Sequence, residues 1–168
     1  MNTDHSPSSS KTSAFNAVDL LKADHQKVRR LFDQLDAITK QGASDDEKSA
    51  LVAKIRGELS IHESVENEVF FPAVREILRK KDVLQEATQD QEEAGDAIQA
   101  LGDLKPGEAG YDKKLSELGT KIAAHAAEEE RDVFPQVENS NIDTKTLAEK
   151  MSSRKEELEQ AQGKSAAG

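Results

Sequence analysis

Two segments of this chain repeat one pattern of polar and aromatic residues within an otherwise apolar helical stripe. In each segment a histidine is followed four residues later by a glutamate, as His62 with Glu66 and His125 with Glu129. A Phe-Pro pair follows each histidine by nine and ten residues. Residues four apart share one face of an α-helix, so each pair points to the same side. Ionisable groups on a core-facing stripe are costly unless something neutralises them, and a bound cation would do so.

Four long amphipathic segments predict an all-α fold. Apolar residues recur every three or four positions, as in helices that bury one face, over the segments 16–39, 45–80, 82–101 and 111–138. Asn16 with Asp19, and Ser44 with Glu47, predict capped starts for the first two helices. Pro72 is predicted to bend the second helix or to remove one of its backbone hydrogen bonds, because proline lacks the N–H group and clashes with the preceding turn. Short connections between the four segments indicate an up-down-up-down four-helix bundle.

The length of the chain, 168 residues, suits one domain with a sizeable core. Residues 1–14 are Ser-rich, polar and without periodicity, and we expect them to form a disordered tail. The bundle is expected over 15–140. A short extra C-terminal helix of weak amphipathicity, with a frayed tail, is expected over 141–168.

The composition limits the classes of partner and cofactor. With a net charge of −10 and a pI near 4.9, the chain has no electrostatic reason to bind nucleic acid or an anionic membrane. Because there is no cysteine, disulfides, thiolate-bound zinc and cysteine-bound iron–sulfur clusters are not expected, which leaves histidine and carboxylate as strong metal ligands. The sequence has neither a run of about twenty apolar residues nor a secretory signal, which predicts a cytoplasmic protein.

Polar residues interrupt the apolar stripes at matching depths. His25 and His62 lie roughly 25–30 Å from the turn between the first two helices, at 1.5 Å per residue, and Gln91 and His125 lie roughly 20 Å from the next turn. One His–Glu pair alone is most often a surface ion pair. Three histidines at one level, two of them with a glutamate one turn away, instead favour a metal site inside the bundle. In the acidic run 128–130, only Glu129 keeps the core phase, and its neighbours are expected to face solvent.

This set of motifs resembles the hemerythrin-like HHE cation-binding domains. The resemblance covers about residues 16–138 and rests on both Phe-Pro pairs and on the order along the chain of His25, His62-Glu63-x-x-Glu66 and His125-x-x-x-Glu129. It implies a non-haem iron protein, with two irons bridged by carboxylates in an up-down bundle. The resemblance makes His25, His62 and His125 terminal ligands, and Glu66 and Glu129 bridging carboxylates.

The third helix departs from the family pattern. Gln91 stands ten residues before Leu101, as His25 stands ten before Leu35, and the family usually has a histidine at this place. An amide oxygen is a weaker ligand than an imidazole for a divalent transition metal, so the second of the two metal positions is expected to be the weaker. Glu63 is a further candidate ligand. It lies about 100° around the helix from His62, so facing the site and facing solvent are both open.

The resemblance implies binding of a small diatomic or peroxide ligand at iron, either O₂, NO or peroxide, or the sensing of iron or redox state. An enzyme that consumes peroxide or reduces another oxidant at non-haem iron is the alternative, because both functions need an open coordination position. A structural bundle with a single adventitious metal is the second alternative. The sequence predicts no particular protein partner.

Overall fold

The computed structural model describes residues 15–78 and 81–166, apart from the side chains of 81–84, 87 and 166. The segment predicted to be a disordered tail, 1–14, lies outside the described residues. In the described part, no helix is long and apolar enough to cross a membrane.

The structure confirms an all-α bundle with an additional C-terminal helix. Its α-helices are α1 (Ala17–Lys40), α2 (Asp45–Val65), α3 (Phe71–Val74), α4 (Lys81–Asp103), α5 (Tyr111–Glu128), α6 (Phe134–Glu138) and α7 (Thr144–Ala166). Two π-helical segments, Glu66–Phe70 and Glu129–Val133, join α2 to α3 and α5 to α6. Successive long helices pack together, α1 on α2, α2 on α4 and α4 on α5, whereas α1 and α5 contact each other sparsely.

The first two helices begin at the predicted residues. The Asn16 side chain accepts a hydrogen bond of 3.0 Å from the Asp19 backbone N–H, and the Ser44 hydroxyl accepts one of 3.3 Å from the Glu47 N–H. Both are capping boxes, in which the acidic side chain also accepts from the backbone of the cap residue. The prediction of these two starts is confirmed.

Each Phe-Pro pair follows a π-helical turn. The backbone N–H of Phe71 donates to the Glu66 carbonyl, and that of Phe134 donates to the Glu129 carbonyl, so both bonds span five residues. Proline clashes with the carbonyl one turn before it and cannot donate, so the chain widens by one residue there. The predicted bend at Pro72 is therefore a π turn, and the helix ends at Val74 rather than near residue 80.

The π turn changes which residues of the second helix are buried. The α-helical period predicts a stripe through Ala73 and Ile77, but Ala73 is exposed, and Val74 and Leu78 lie in the core instead. A turn closed by a five-residue bond advances the buried face by about one residue relative to an α-helical turn. In the second helix, the α-helical period therefore predicts the wrong buried residues only after the π-helical segment.

Helix α7 is part of the core rather than an appendage. It is 23 residues long, longer than its sequence pattern suggests, and it packs on α1 and α2. Leu147, Ala148 and Met151 are buried in its contact with the bundle. Lys155 forms an ion pair with Asp24 of α1. The C-terminal helix therefore reaches the level of the helix-1 histidine.

Apolar packing is divided into two clusters with a polar layer between them. The first apolar cluster includes Leu21 of α1 and Val65 of α2, and it extends to α7. The second apolar cluster includes Val28 and Leu59, and it extends to the other end of the bundle. His25 lies between Leu21 and Val28 on α1, so the histidine layer is enclosed by hydrophobic residues above and below.

Candidate metal centre

The polar layer contains the side chains that the sequence singled out. Among the described residues, five polar or charged residues are buried: His25, His62, Glu66, Gln91 and Glu129. The His125 side chain is almost as enclosed, at 12% exposed. An apolar interior accepts such groups only when hydrogen bonds or a counter-charge compensate their desolvation. The layer therefore differs from the apolar packing on either side of it and is the candidate metal centre of the bundle.

Four of these side chains converge on one point. The Nε2 atoms of His25 and His62 are 3.2 Å apart, and each lies 3.3 Å from a glutamate oxygen, on Glu129 and Glu66 respectively. One ligand atom from each residue lies within 4.8 Å of the other three. Ligands about 2.1 Å from one metal ion are about 3.0–3.4 Å apart at tetrahedral or octahedral angles. The spacing of the adjacent pairs therefore suits a single cation.

The carboxylate oxygens of this group also suit a cation. Within the part of the chain that the structure describes, Glu66 Oε1 and Glu129 Oε2 are buried and accept no hydrogen bond. Buried acceptors without a donor cost free energy that a metal bond would recover. Imidazole and carboxylate together are ligands that iron and other first-row metals accept.

Each of the two converging histidines has a carboxylate at its other ring nitrogen. Glu130 Oε1 lies 2.9 Å from His25 Nδ1, and Asp24 Oδ2 lies 3.6 Å from His62 Nδ1. The hydrogen bond with Glu130 favours a proton on His25 Nδ1 and leaves its Nε2 free to bind a metal. Asp24 is beyond hydrogen-bond distance of His62 Nδ1, which has no hydrogen-bond partner among the described residues, so its carboxylate acts on that imidazole only as a nearby charge. Glu130 is half-buried, so the expectation that it faces solvent is wrong.

Basic residues support both of these carboxylates. Arg29 contacts Glu130 at 3.0 Å, and Lys155 of α7 contacts Asp24. Burial works to raise the pKa of Asp24, but the nearby His62 imidazole and the hydrogen-bonded Lys155 ammonium outweigh it and lower the pKa. Sequence reasoning missed these partners. The acidic residues adjacent to His25 and Glu129 were a signal for two of them, whereas nothing local indicated Lys155.

Gln91 and His125 lie on the opposite side of the glutamate pair. The Gln91 amide donates to Glu66 Oε2 at 2.8 Å and to Glu129 Oε1 at 3.3 Å. His125 Nε2 lies 3.5 Å from the same Glu129 oxygen. The two glutamates thus face histidines on one side and an amide with one histidine on the other. This second side has fewer strong metal ligands.

Glu63 is not part of the converging group. The side chain is half-buried and lies against α4, where its Oε1 would be 2.9 Å from a Cβ atom placed on Gly95. Burial raises the pKa of Glu63. The sequence left two orientations open, towards the site and towards solvent, and the structure shows neither, because Glu63 lies between α2 and α4.

Burial sets the protonation of the site. Desolvation, with the charge of Glu129, raises the pKa of Glu66 to about 8, and desolvation raises the pKa of Glu129 to about 8. Burial lowers the pKa of His125 to about 4. The core therefore favours the neutral form of each group until a cation compensates the carboxylate charge.

These shifts make the stability of the metal-free protein depend on pH. Unfolded glutamates titrate near about 4.3, so the folded state binds more protons than the unfolded state from there to about pH 8. We expect the free energy of unfolding to fall by about 3 kcal/mol as pH rises from about 6.5 to 8, because the stabilisation from neutral Glu66 and Glu129 is lost. His125 acts oppositely, but only as pH falls below about 6.5. Urea unfolding with a chelator measures the trend.

The isosteric variant Glu66→Gln provides the comparison. It cannot ionise, so its free energy of unfolding should change less between the same two pH values. Glu92→Gln, at an exposed position on α4, is the matched control and should keep the wild-type slope. A stability that rises over this interval would contradict the buried, protonated state of the pair.

A cleft leads from the surface to the histidines. It lies between α1 and α5, has a volume of about 480 Å³, and is lined at its inner end by His25, His62 and His125. Small molecules can therefore reach the polar layer without separation of the helices.

Comparison with known proteins agrees with this geometry. Residues 16–137 match a family model described as the hemerythrin HHE cation binding domain. The fold is similar to a crystal structure from Mycobacterium kansasii, of a hemerythrin HHE cation binding domain-containing protein that is a homolog of Rv2633c. The identity is 26%, the TM-score is 0.71, and the match covers 87% of this chain and 88% of the other. The search of curated proteins gave no match.

Proposed function

Because the chain belongs to the hemerythrin HHE cation-binding family, we propose that it binds non-haem iron in the polar layer of the bundle. The observation that supports this most directly is the convergence of four buried ligand atoms from His25, His62, Glu66 and Glu129 within 4.8 Å. Two imidazole nitrogens and two carboxylate oxygens would hold a divalent ion without net charge, which suits an apolar interior.

We propose two iron positions of unequal strength. The stronger uses the four converging side chains. The weaker uses His125, Gln91 and the outer oxygens of the same glutamates, which would then bridge the two ions as the family resemblance implies. On that side the Gln91 amide stands where the family usually has an imidazole. It donates hydrogen bonds to the carboxylates of Glu66 and Glu129.

The function that we propose is the handling of O₂, NO or peroxide, or the sensing of iron or redox state, in the cytoplasm. Bound iron would supply the affinity for such ligands and the change of redox state. Glu130 would hold the His25 imidazole in the binding orientation, the negative charge of Asp24 would favour a proton on Nδ1 of His62, and the two apolar clusters would limit the entry of water. The cleft between α1 and α5 supports access for a small ligand.

Iron content per chain after aerobic purification tests the binding. The double variant His25→Ala/His62→Ala is the baseline, since it removes both imidazoles of the stronger position. We expect iron in the natural protein well above this baseline. Equal iron in both would contradict the proposal and would favour the alternative of a structural bundle with an adventitious metal.

Reaction with O₂ and then with peroxide separates a carrier from an enzyme. The reduced, iron-loaded protein is mixed with O₂ and the visible absorption is followed. A spectrum that reverses when O₂ is removed supports reversible binding. Peroxide consumption over many turnovers, absent in the double variant, would instead support the alternative of a non-haem iron enzyme.

A further inference from the structure

The cleft between α1 and α5 is larger than a diatomic or peroxide ligand requires. Its volume of about 480 Å³ falls in the range of pockets that enclose drug-sized organic molecules. The cleft is open because α1 and α5 contact each other sparsely. One close contact between them is that of the Phe32 ring with Gly119, where an added Cβ atom would be 3.2 Å from the ring. The walls carry the apolar side chains Val28, Leu35, Leu59, Leu115 and Ile122.

The outer part of the cleft has uncompensated negative charge. Asp33 of α1 and Asp112 of α5 both line it and are exposed, and neither forms an ion pair with any described residue. The other charged residues of the lining are neutralised. Asp36 pairs with Lys40, Asp24 pairs with Lys155, and Arg29 pairs with Glu130.

The acidic and histidine ends lie apart along the helices. Asp33 is eight residues beyond His25, which corresponds to about 12 Å of α-helix. By the same rise Asp112 is about 20 Å of α-helix from His125. Val28 and Ile122 therefore lie between the histidines and Asp33, whereas Leu35 and Leu115 lie between the levels of Asp33 and Asp112. An elongated ligand with one charged end would therefore match the order of surfaces from the mouth inwards.

We propose that this cleft binds an organic cation, an amine with an apolar body. The ammonium lies at the acidic end of the cleft, between the levels of Asp33 and Asp112, and the apolar body extends along the walls towards the three histidines. A protein with a net charge of −10 also attracts cations and repels anions over longer distances. Binding depends on the cleft and its carboxylates, so it is independent of the proposed iron.

Three probes of nearly equal shape test the charge preference in the metal-free protein. They are 4-phenylbutylamine, 4-phenylbutanol and 4-phenylbutyrate, which are a cation, a neutral molecule and an anion at neutral pH. We expect calorimetry at low salt to show the tightest binding for the amine, with the carboxylate weaker by about tenfold or more. Equal binding of amine and carboxylate, or no binding of the amine, would overturn the proposal.

Two alanines on α5 provide a matched pair that tests the location. Ala123 and Ala124 are both exposed, but only Ala123 lines the cleft. Ala123→Trp should fill the cleft and abolish binding of the amine, whereas Ala124→Trp should bind as the natural protein does. Circular dichroism checks that both variants are folded. Unchanged binding in Ala123→Trp would place the ligand elsewhere and overturn the proposal.

Asparagine variants test the role of the two carboxylates. Asp33→Asn/Asp112→Asn should reduce the preference for the amine over the alcohol and leave binding of the alcohol nearly unchanged. Asp96→Asn, an exposed position on α4, is the control for loss of surface charge. An undiminished preference in the double variant would contradict the assignment. All these measurements use metal-free protein, so their failure would leave the iron proposal intact.

Discussion

Replacing His62 with alanine is expected to lower the affinity for the first iron by more than about a hundredfold, since loss of a partner outside the ligand set already costs about ten- to a hundredfold. His62 Nε2 lies 3.2 Å from His25 Nε2 and 3.3 Å from Glu66, at the centre of the converging group. Its removal takes away one ligand and leaves the Glu66 carboxylate with less compensation. Titration calorimetry with ferrous iron under nitrogen measures the affinity.

Thermal unfolding gives a second measurement of the same change. Iron stabilises the folded state in proportion to the logarithm of its affinity, so the rise in melting temperature on loading should be clearly smaller in His62→Ala. Comparing loaded and metal-free samples of each variant removes the effect of the cavity left by the imidazole. The matched variant His125→Ala should retain the first binding step, because His125 lies on the other side of the glutamates. Unchanged iron affinity in His62→Ala would refute the assignment of the second helix.

Replacing Gln91 with histidine is expected to raise iron occupancy towards two per chain. In the natural protein the Gln91 amide donates to both Glu66 and Glu129, and an imidazole would instead offer a lone pair on the same side as His125. An imidazole is also the stronger ligand for a divalent transition metal. Titration with ferrous iron should show two separated steps in the natural sequence and two merged steps in the variant.

Charge explains why we expect the second iron to bind more weakly than the first in the natural protein, which has Gln91 rather than histidine. The carboxylates of Glu66 and Glu129 neutralise one divalent ion, so a second would leave two positive charges in a buried site unless a hydroxide or another carboxylate joined it. Gln99→His, at an exposed position on α4, is the control for an added surface imidazole and should keep the separated steps. Two equally tight ions in the natural protein would show that Gln91 or Glu63 acts as a full ligand.

The sequence was sufficient to predict the bundle and the layer of polar residues. Helical periodicity determines which residues share a face, so His25, Gln91 and the two His–Glu pairs could be assigned to the core from local pattern alone. The starts of the first two helices followed from side-chain capping within four residues. Helical periodicity stopped predicting the buried residues at the π turn before Pro72. There the hydrogen bond that spans five residues moves the buried face from Ala73 to Val74.

Only the tertiary structure decided how the polar residues divide the site. Periodicity places a side chain on a face, but the approach of His25 to His62, and of Gln91 to both glutamates, depends on the packing of helices far apart in sequence. For the same reason Lys155, which is 131 residues from Asp24, could not be connected with the histidine layer in advance. The cleft likewise depends on the sparse contact between α1 and α5. Such a gap results from the arrangement of the helices, so it cannot be predicted from the sequence of either helix.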